Sequence, residues 1–164
     1  MKEALYRPNV GIIIFNRDGK ILWCKRKQGD GWQFPQGGID EGETPQDAIY
    51  RETYEEVGLE KQKIKVLREN DRWINYDVPK DKIPKYFSFK NRRFKGQTQK
   101  WFLAEFIGND EDINLSVHNQ IEFSEWRWST YWHPIIGGVE FKRNAYRKVL
   151  NDLLPYYVDY LRKF

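Results

Sequence analysis

Three glutamates are the residues of this sequence whose type and spacing best suit chemistry. Glu52, Glu55 and Glu56 are three and four positions apart, so on an α-helix they project from the same side. Like charges at this spacing cost a helix about 0.2–0.5 kcal/mol per pair, a cost that a bound cation would remove. Carboxylate oxygens favour hard divalent cations such as Mg²⁺ or Mn²⁺. The three glutamates are therefore a candidate metal site, with an ordinary solvated helix face as the alternative.

The residues around the glutamates predict the helix that would carry them. Thr44 suits the N-cap, Pro45 the first helical position and Gly58 the position after the helix, so the predicted span is 44–57. At about 100° per residue, a second broad face is predicted to pack on a sheet, with Ala48 lying among the glutamates. That packing face consists of Ile49, Tyr50, Thr53, Tyr54 and Val57.

The segment 37–59 has a spacing that goes beyond a bare acidic helix. It reads Gly37, five residues, Glu43, seven residues, and then Arg-Glu-Thr-Tyr-Glu-Glu-Val-Gly-Leu. This resembles the signature box of the Nudix hydrolases, Gly-x5-Glu-x7-Arg-Glu-aliphatic-x-Glu-Glu-x-Gly-aliphatic. Thr53 departs from the box, because a large aliphatic residue is usual there. Since Thr53 lies on the predicted packing face, the departure concerns packing and not the acidic side.

The likeness extends to further segments and covers about residues 6–150, weakening between 77 and 96. The segments are 6–11, 32–38, 99–102 and 141–143. They resemble the bacterial RNA pyrophosphohydrolases, a Nudix branch that also includes asymmetric diadenosine tetraphosphate hydrolases. The resemblance implies a metal-dependent enzyme that hydrolyses the 5′-triphosphate or diphosphate end of RNA to a 5′-monophosphate and so promotes mRNA decay.

Length and pattern predict one α/β (α+β) domain, because 164 residues suit a single domain and short strands mix with two well-separated helices. The second helix is predicted at 141–154, and Pro155 should end or kink it. The resemblance implies a Nudix-type α/β/α sandwich around a mixed sheet, with the Nudix domain at 5–150 and a C-terminal helical extension at 151–164. Strands are predicted at 10–15 and 21–25, which form a hairpin, and at 64–67, 73–76, 101–107 and 125–129.

The resemblance also implies roles around the metal. Glu52 would be the general base and a metal ligand, and Glu55 and Glu56 would be metal ligands. The backbone carbonyl of Gly37 would complete the shell, and Glu122 would supply a further acidic ligand from a loop. The remaining box residues have structural roles, with Arg51 orienting the carboxylates; these residues are Glu43, Arg51 and Gly58.

Cations elsewhere in the matched segments are candidates for binding the substrate. Arg7, Arg26 and Lys142 would hold phosphate groups, and Arg26 would alternatively stack on a base. The alternative for each is an ordinary solvated cation. Gln36 and Gly38 are expected to line the cleft.

Two aromatic residues, Tyr76 and Phe141, are candidates for stacking on a nucleobase, with core packing as the alternative. His118 and His133 have no Ser or Cys partner pattern, so both are expected to be structural. Cys24 lies in a predicted strand and is expected to be buried.

The segment 80–100 concentrates positive charge. It holds eight Lys or Arg residues and only one acid, for a charge of +7, whereas the whole chain carries +4. The interleaved aromatic residues suit stacking on bases, so a surface that faces RNA is one interpretation and a solvated loop is the other. Those aromatic residues are Tyr86, Phe87, Phe89 and Phe94.

Composition excludes some classes of protein. No apolar run approaches the roughly 20 residues of a membrane span, and the first residues lack the apolar core of a signal peptide. The single cysteine excludes an internal disulfide, so a cytoplasmic location is expected. We expect no membrane or DNA partner, and a monomer.

Two other functions stay open at this point. The first is hydrolysis of dinucleoside polyphosphates such as diadenosine tetra- or pentaphosphate. The second is a non-catalytic module that binds nucleotides or RNA. The basic stretch favours RNA over a small dinucleotide, and the intact set of glutamates argues against a non-catalytic module.

Overall fold

The computed structural model describes residues 5–83, 85 and 94–163. Its secondary structure has eight strands and three helices among these residues. A 3₁₀ turn at Glu140–Lys142 leads into the last helix. The elements are β1 (Leu5–Phe15), β2 (Ile21–Arg26), β3 (Trp32–Gln33), β4 (Gln36–Gly38), α1 (Pro45–Val57), β5 (Ile64–Glu69), β6 (Ile74–Asp77), β7 (Phe94–Phe106), β8 (Phe123–Ser129), α2 (Pro134–Gly137) and α3 (Arg143–Leu161).

The strands form one mixed sheet. Its main path runs β3-β2-β1-β7-β5, and β4, β6 and β8 pair with β1, β7 and β2 respectively. Only the pairing of β1 with β7 is parallel among the described strands. The predicted mixed sheet is confirmed. The two- and three-residue strands β3 and β4 were not predicted, because such short segments have no periodicity to detect.

The two long helices cover opposite faces of this sheet. Alternate residues of β1 point to different sides, as the pleat requires. Val10 and Ile12 belong to the apolar core that includes residues of α1, whereas Ile13 and Phe15 belong to the core that includes residues of α3. The predicted α/β/α sandwich is therefore confirmed.

Helix α1 begins and ends where the sequence predicted. The Thr44 side chain accepts a hydrogen bond from the Asp47 backbone N–H at 3.1 Å, and Pro45 is the first helical residue. Gly58 has φ 73°, a left-handed conformation in which its N–H still donates to the Tyr54 carbonyl. These local contacts hold the glutamates in register on the helix.

The predicted packing face of α1 was wrong in one respect. Tyr54 is 46% exposed, whereas Glu56 is only 8% exposed. The buried set is Ala48, Ile49, Thr53, Glu56 and Val57. The small Ala48 lets the helix approach the sheet on that side, which rotates the buried face by roughly 70° toward the glutamates. As a result, the Glu56 side chain lies on the buried side of the helix.

Helix α3 does not end at Pro155, contrary to one of the two predicted outcomes. It continues to Leu161. Pro155 lies on the exposed side, where water can bind the carbonyl left free by its missing N–H, while Leu153 and Tyr157 remain buried. The helix thus crosses the predicted boundary between residues 150 and 151. No helix in the described part of the chain is long and apolar enough to cross a membrane.

Candidate metal and phosphate site

Strand β4 brings a glycine against the first catalytic candidate. Gly37 pairs with Val10 of β1, and a Cβ atom added to Gly37 would overlap the carboxylate of Glu52. Only glycine permits this approach of backbone to carboxylate. The predicted contribution of the Gly37 carbonyl to a metal shell stays a prediction, and its position beside Glu52 suits it.

Arg51 connects the half-buried side of the glutamate cluster. Its Nε and Nη2 donate to the two carboxylate oxygens of Glu43, each at 2.8 Å, and Nη2 also donates to the Gly38 carbonyl at 2.8 Å. Its Nη1 donates to Glu52 Oε1 at 2.8 Å and to Glu55 Oε2 at 3.3 Å. The expected contact between Arg51 and Glu43 is present. Arg51 therefore links α1 to the loop between β4 and α1, which contains Glu43.

These contacts set the charge states at this end. The hydrogen bonds that Arg51 donates lower the pKa of Glu43 to about 2, and the same bonds, accepted by Glu43 and then by Glu52, raise the pKa of Arg51. Burial raises the pKa of Glu52, although Arg51 opposes the rise. Glu52 is therefore a carboxylate held in place by a cation and partly withdrawn from water, which suits a proton acceptor.

Glu56 lies at the buried end of the cluster. Its Oε2 accepts a hydrogen bond from the Gln36 backbone N–H at 3.2 Å. Burial first, and then the charges of Glu52 and Glu122, raise the pKa of Glu56 well above its usual value. Glu122 comes from the loop before β8, where its carbonyl accepts from the Lys27 N–H at 2.9 Å. The structure thus brings Glu122 within electrostatic range of the box glutamates.

The carboxylates of this cluster are chemically suited to bind a hard divalent cation. Glu52, Glu56 and Glu122 repel one another, and a bound cation would relieve that repulsion. Within 5–83, 85 and 94–163, no three acidic, His or Cys side chains converge as a preassembled ligand set. Glu52 and Glu55 both accept hydrogen bonds from Arg51 Nη1, at 2.8 and 3.3 Å.

Lys142 lies at the start of α3, as predicted, but it is buried rather than solvated. Its Nζ donates to Gln33 Oε1 at 2.6 Å. Burial and the nearby Arg26 lower the pKa of Lys142 to about 7, while Glu122 and Glu56 oppose that change. An approaching phosphate would favour its charged form.

The other two predicted phosphate-binding cations lie at different edges of the site. Arg26 ends β2, and its charge influences both Lys142 and Tyr76. Arg7 is on β1 beside β4, where a Cβ atom added to Gly38 would overlap its guanidinium group. Gly38 therefore lines the space that Arg7 occupies, and its place in a substrate cleft stays a prediction.

The two candidate stacking residues differ in exposure. Tyr76 is 7% exposed and belongs to the core under α3, and its hydroxyl accepts a hydrogen bond from Gln36 Nε2 at 3.3 Å. Burial raises the pKa of Tyr76 to about 12. Phe141 is half-buried, with its ring 6.0 Å from that of Tyr76. Core packing thus accounts for the Tyr76 ring, and Phe141 is the accessible one.

A cavity of about 570 Å³ opens between the loop after β2 and the loop before β8. It joins the carboxylate cluster, since Arg26 and Glu122 belong to both, and it is large enough for part of a nucleotide. Its lining residues are Arg26, Lys27, Gln28, Asn119, Gln120, Ile121 and Glu122.

Part of the predicted basic surface lies outside the described residues, namely Lys90, Arg92, Arg93 and the aromatic residues 86, 87 and 89. Of the described members, Lys95 contacts Asp77 at 3.5 Å and Lys100 contacts Glu69 at 3.8 Å. These two cations are thus engaged with acids, and the RNA-facing role of the stretch stays a prediction.

The remaining side-chain predictions concern residues away from the cluster. Cys24 is fully buried, as expected. His133 packs edge-on against Trp23, with ring centroids 6.3 Å apart, and its Nε2 is 3.2 Å from Arg127 Nη2. His118 is exposed and accepts from the Gln120 N–H at 3.3 Å.

Two site residues had no assigned role in the sequence. Gln33 binds Lys142, and Tyr146 of α3 places a buried hydroxyl near Glu56 and Tyr76. A polar residue between Trp32 and Phe34 was a detectable signal for Gln33. Tyr146 gave none, because a tyrosine in an apolar helix face reads as core.

Comparison with known proteins places the chain in a class. The NUDIX domain family matches residues 5–150, so the chain belongs to this family. Its enzymes hydrolyse pyrophosphate bonds and generally need divalent metal ions, in agreement with the acidic donor set described above.

Individual proteins are similar to this chain over most of its length. An "RNA pyrophosphohydrolase" of Hydrogenovibrio crunogenus is 49% identical over 148 residues, covering 90% of this chain and 88% of the relative. That of Proteus mirabilis is 44% identical over 155 residues, covering 92% and 84%. Among solved structures, a C. elegans Ap4A hydrolase complex is similar at a TM-score of 0.61 and 21% identity, covering 95% of this chain and 99% of that one. At this identity the likeness supports the fold alone.

Proposed function

We propose that this protein is an RNA 5′ pyrophosphohydrolase that converts 5′-triphosphorylated or diphosphorylated RNA ends to 5′-monophosphates and so promotes mRNA decay. The carrying observation is a charged site in which Glu56 lies within electrostatic range of Glu52, Glu122 and Lys142. Glu55 acts on Glu52, and Arg26 acts on Lys142, at the two ends of this site. Carboxylates suit a metal, and cations suit a polyphosphate. Relatives named for RNA, matched over about nine-tenths of the chain, favour RNA as the substrate.

The glutamates have two roles in the proposed reaction, metal binding and proton transfer. Mg²⁺ or Mn²⁺, when bound, would neutralise phosphate charge and lower the pKa of a water molecule. Glu52 accepts the proton of the attacking water, because burial makes it more basic and Arg51 fixes its orientation. The residues that would hold the metal are Glu52, Glu55, Glu56, Glu122 and the carbonyl of Gly37.

Three cations around the carboxylates hold the substrate. Arg7, Arg26 and Lys142 bind phosphate oxygens, and Lys142 gains full charge when the phosphates arrive. The half-buried Phe141 ring stacks on a base. Gln36, Gly38 and Tyr76 shape the cleft beneath the substrate.

A monomer in the cytoplasm is the proposed working form. An RNA substrate and a single buried cysteine support the cytoplasm.

The test compares a 5′-triphosphorylated RNA of about ten nucleotides with diadenosine tetraphosphate, at equal concentrations and with Mg²⁺. We expect kcat/KM at least tenfold higher for the RNA, and no hydrolysis of either substrate in excess chelator. A preference for diadenosine tetraphosphate would instead establish the dinucleoside polyphosphate hydrolase. Binding of RNA without metal-dependent release of pyrophosphate or phosphate would establish the non-catalytic module.

A further inference from the structure

Lys142, one of the proposed phosphate-binding cations, is held by a neutral side chain. Its Nζ atom donates a hydrogen bond of 2.6 Å to Oε1 of Gln33, and the two residues are only 6% and 3% exposed. Lys142 takes part in none of the ion pairs between described residues. A buried cation usually has an acid as its partner, because removing its charge from water is costly. An amide in this place is therefore unusual.

The backbone places Gln33 and Lys142 against each other. Gln33 lies on β3, where it pairs with Cys24 of β2. The Trp32 carbonyl accepts a hydrogen bond from the Val139 N–H at 3.1 Å, and the Val139 carbonyl accepts one from the Lys142 N–H at 2.9 Å. The hydrogen bond between the two side chains closes this ring of contacts. Strand β3 thus fixes both the turn that carries Lys142 and the ammonium group at the end of its side chain.

The ammonium group of Lys142 also lies beside two aromatic rings of the proposed cleft. Its Nζ atom is 5.7 Å from the ring centroid of Phe141 and 5.8 Å from that of Tyr76. Aromatic faces attract a cation without cancelling its charge. An ammonium group has three N–H donors, and Gln33 accepts from one of them. Two donors and the whole charge therefore remain for the oxygen atoms of a polyphosphate.

An acid in place of Gln33 would hold Lys142 equally well but would neutralise it, so the phosphates would have to compete with that acid. We propose that Gln33 is a positioning residue for substrate binding: its amide holds the Lys142 ammonium group in place and leaves the charge of that group to the substrate phosphates. A side chain that is already in place also loses less conformational entropy when the phosphates bind. The inference rests on the proposed function, in which Lys142 binds a phosphate.

The experiment measures the Kd of an ATP analogue with methylene groups in both phosphate bridges, by isothermal titration calorimetry of the full chain with Mg²⁺ at pH 7. Gln33→Met removes the acceptor and should raise the Kd about 3- to 10-fold, the effect of one lost hydrogen bond. Gln33→Glu keeps the shape and the acceptor but adds a neutralising charge, so we expect the Kd to rise more, by at least about tenfold. A wild-type Kd in either variant would overturn the inference, and Gln33→Glu alone decides if Gln33→Met does not fold.

The matched control is Asn70→Leu. The Asn70 amide is also buried and also binds a charged group, since its Nδ2 atom donates to Asp152 Oδ2 at 3.0 Å. This control should lower the melting temperature and leave the Kd unchanged. A Gln33 side chain that serves only the fold would give the same pair of results in Gln33→Met, which would contradict the inference.

A double-mutant cycle tests the route through Lys142. Lys142→Met should raise the Kd at least as much as Gln33→Met, and adding Gln33→Met to it should have no further effect, because both changes act on one contact. Additive effects would overturn the inference. The proposed function is tested separately, by hydrolysis of triphosphorylated RNA by the wild-type protein, so the two can fail independently of each other.

Discussion

The repulsion between like charges is compensated differently at the two ends of the glutamate cluster, the Arg51 end and the Glu56 end. At the half-buried end, Arg51 makes charged hydrogen bonds to Glu43, Glu52 and Glu55. At the buried end, Glu56 receives one backbone N–H, and Lys142, the cation that acts on it, has its own pKa lowered by burial. The charge of the half-buried end is therefore compensated by the protein, whereas that of the buried end is compensated only weakly. The difference indicates that a cation contributes most at the Glu56 end.

Glu52 joins the two ends, so its replacement should have the largest effect. Glu52→Gln keeps the shape but removes the proton acceptor and the link to Arg51. We expect kcat on triphosphorylated RNA to fall by roughly 10²–10⁴-fold with KM largely kept, the range for lost general-base catalysis. Steady-state kinetics at saturating Mg²⁺ provides the measurement. A variant that keeps more than a tenth of wild-type kcat would assign the base to another residue.

The contrast between the ends predicts unequal metal dependence for two neighbouring glutamates. Glu56→Gln should raise the Mg²⁺ concentration for half-maximal activity roughly tenfold, because no other group replaces its charge at the buried end. Glu55→Gln should raise it less, since Arg51 already neutralises much of the Glu55 charge. The control is Glu60→Gln, which is exposed and follows Gly58. Equal shifts for Glu55→Gln and Glu56→Gln would contradict the comparison.

The acidic side of α1 shows how far the sequence could lead. Thr44, Pro45 and Gly58 fixed the bounds of the helix, because caps act through local hydrogen bonds that residue types reveal. The burial of Glu56 could not be predicted in the same way. It depends on how closely Ala48 lets the helix approach the sheet, which is a packing outcome. The same limit applied to Lys142, whose partner Gln33 is distant in the sequence.

The strands show the same difference between local signals, which a sequence reveals, and contacts between distant residues, which it does not. The apolar segments of β1 and β7 were recognised because they are buried on both faces. The polar half of β7, from Phe94 to about Gln99, was not, since its strand character comes from pairing with β6. Pairing partners distant in sequence leave no local signal.

In the metal-free protein, Glu43 at one end and Glu56 at the other should change the free energy of unfolding in opposite directions as the pH rises. The lowered pKa of Glu43 stabilises the fold above the unfolded carboxyl value of about 4.3, and this stability is lost as pH falls toward about 2. The raised pKa of Glu56 acts in reverse, so stability is lost as pH rises above about 4.3. We therefore expect Glu43→Gln to destabilise by about 1 kcal/mol at pH 7 and by little at pH 2.

The measurement is urea unfolding in chelator from pH 2 to pH 8. Glu56→Gln should gain stability over the wild type as pH rises through this range, whereas Glu43→Gln should lose it. Curves that shift in the same direction for both variants would show that the two ends share one electrostatic environment.

The smallest expected effect concerns Thr53, where α1 departs from the Nudix pattern. Thr53 is fully buried and its hydroxyl has no hydrogen-bond partner among the described residues. Thr53→Val keeps the branched shape and removes the desolvated group, so we expect the free energy of unfolding to rise by about 1 kcal/mol while kcat changes less than twofold. The matched control is Thr44→Val, which removes a hydroxyl that accepts the cap hydrogen bond and should cost about 1 kcal/mol. Denaturant unfolding of both variants decides the matter, because a destabilised Thr53→Val would mean that the buried hydroxyl makes a stabilising contact.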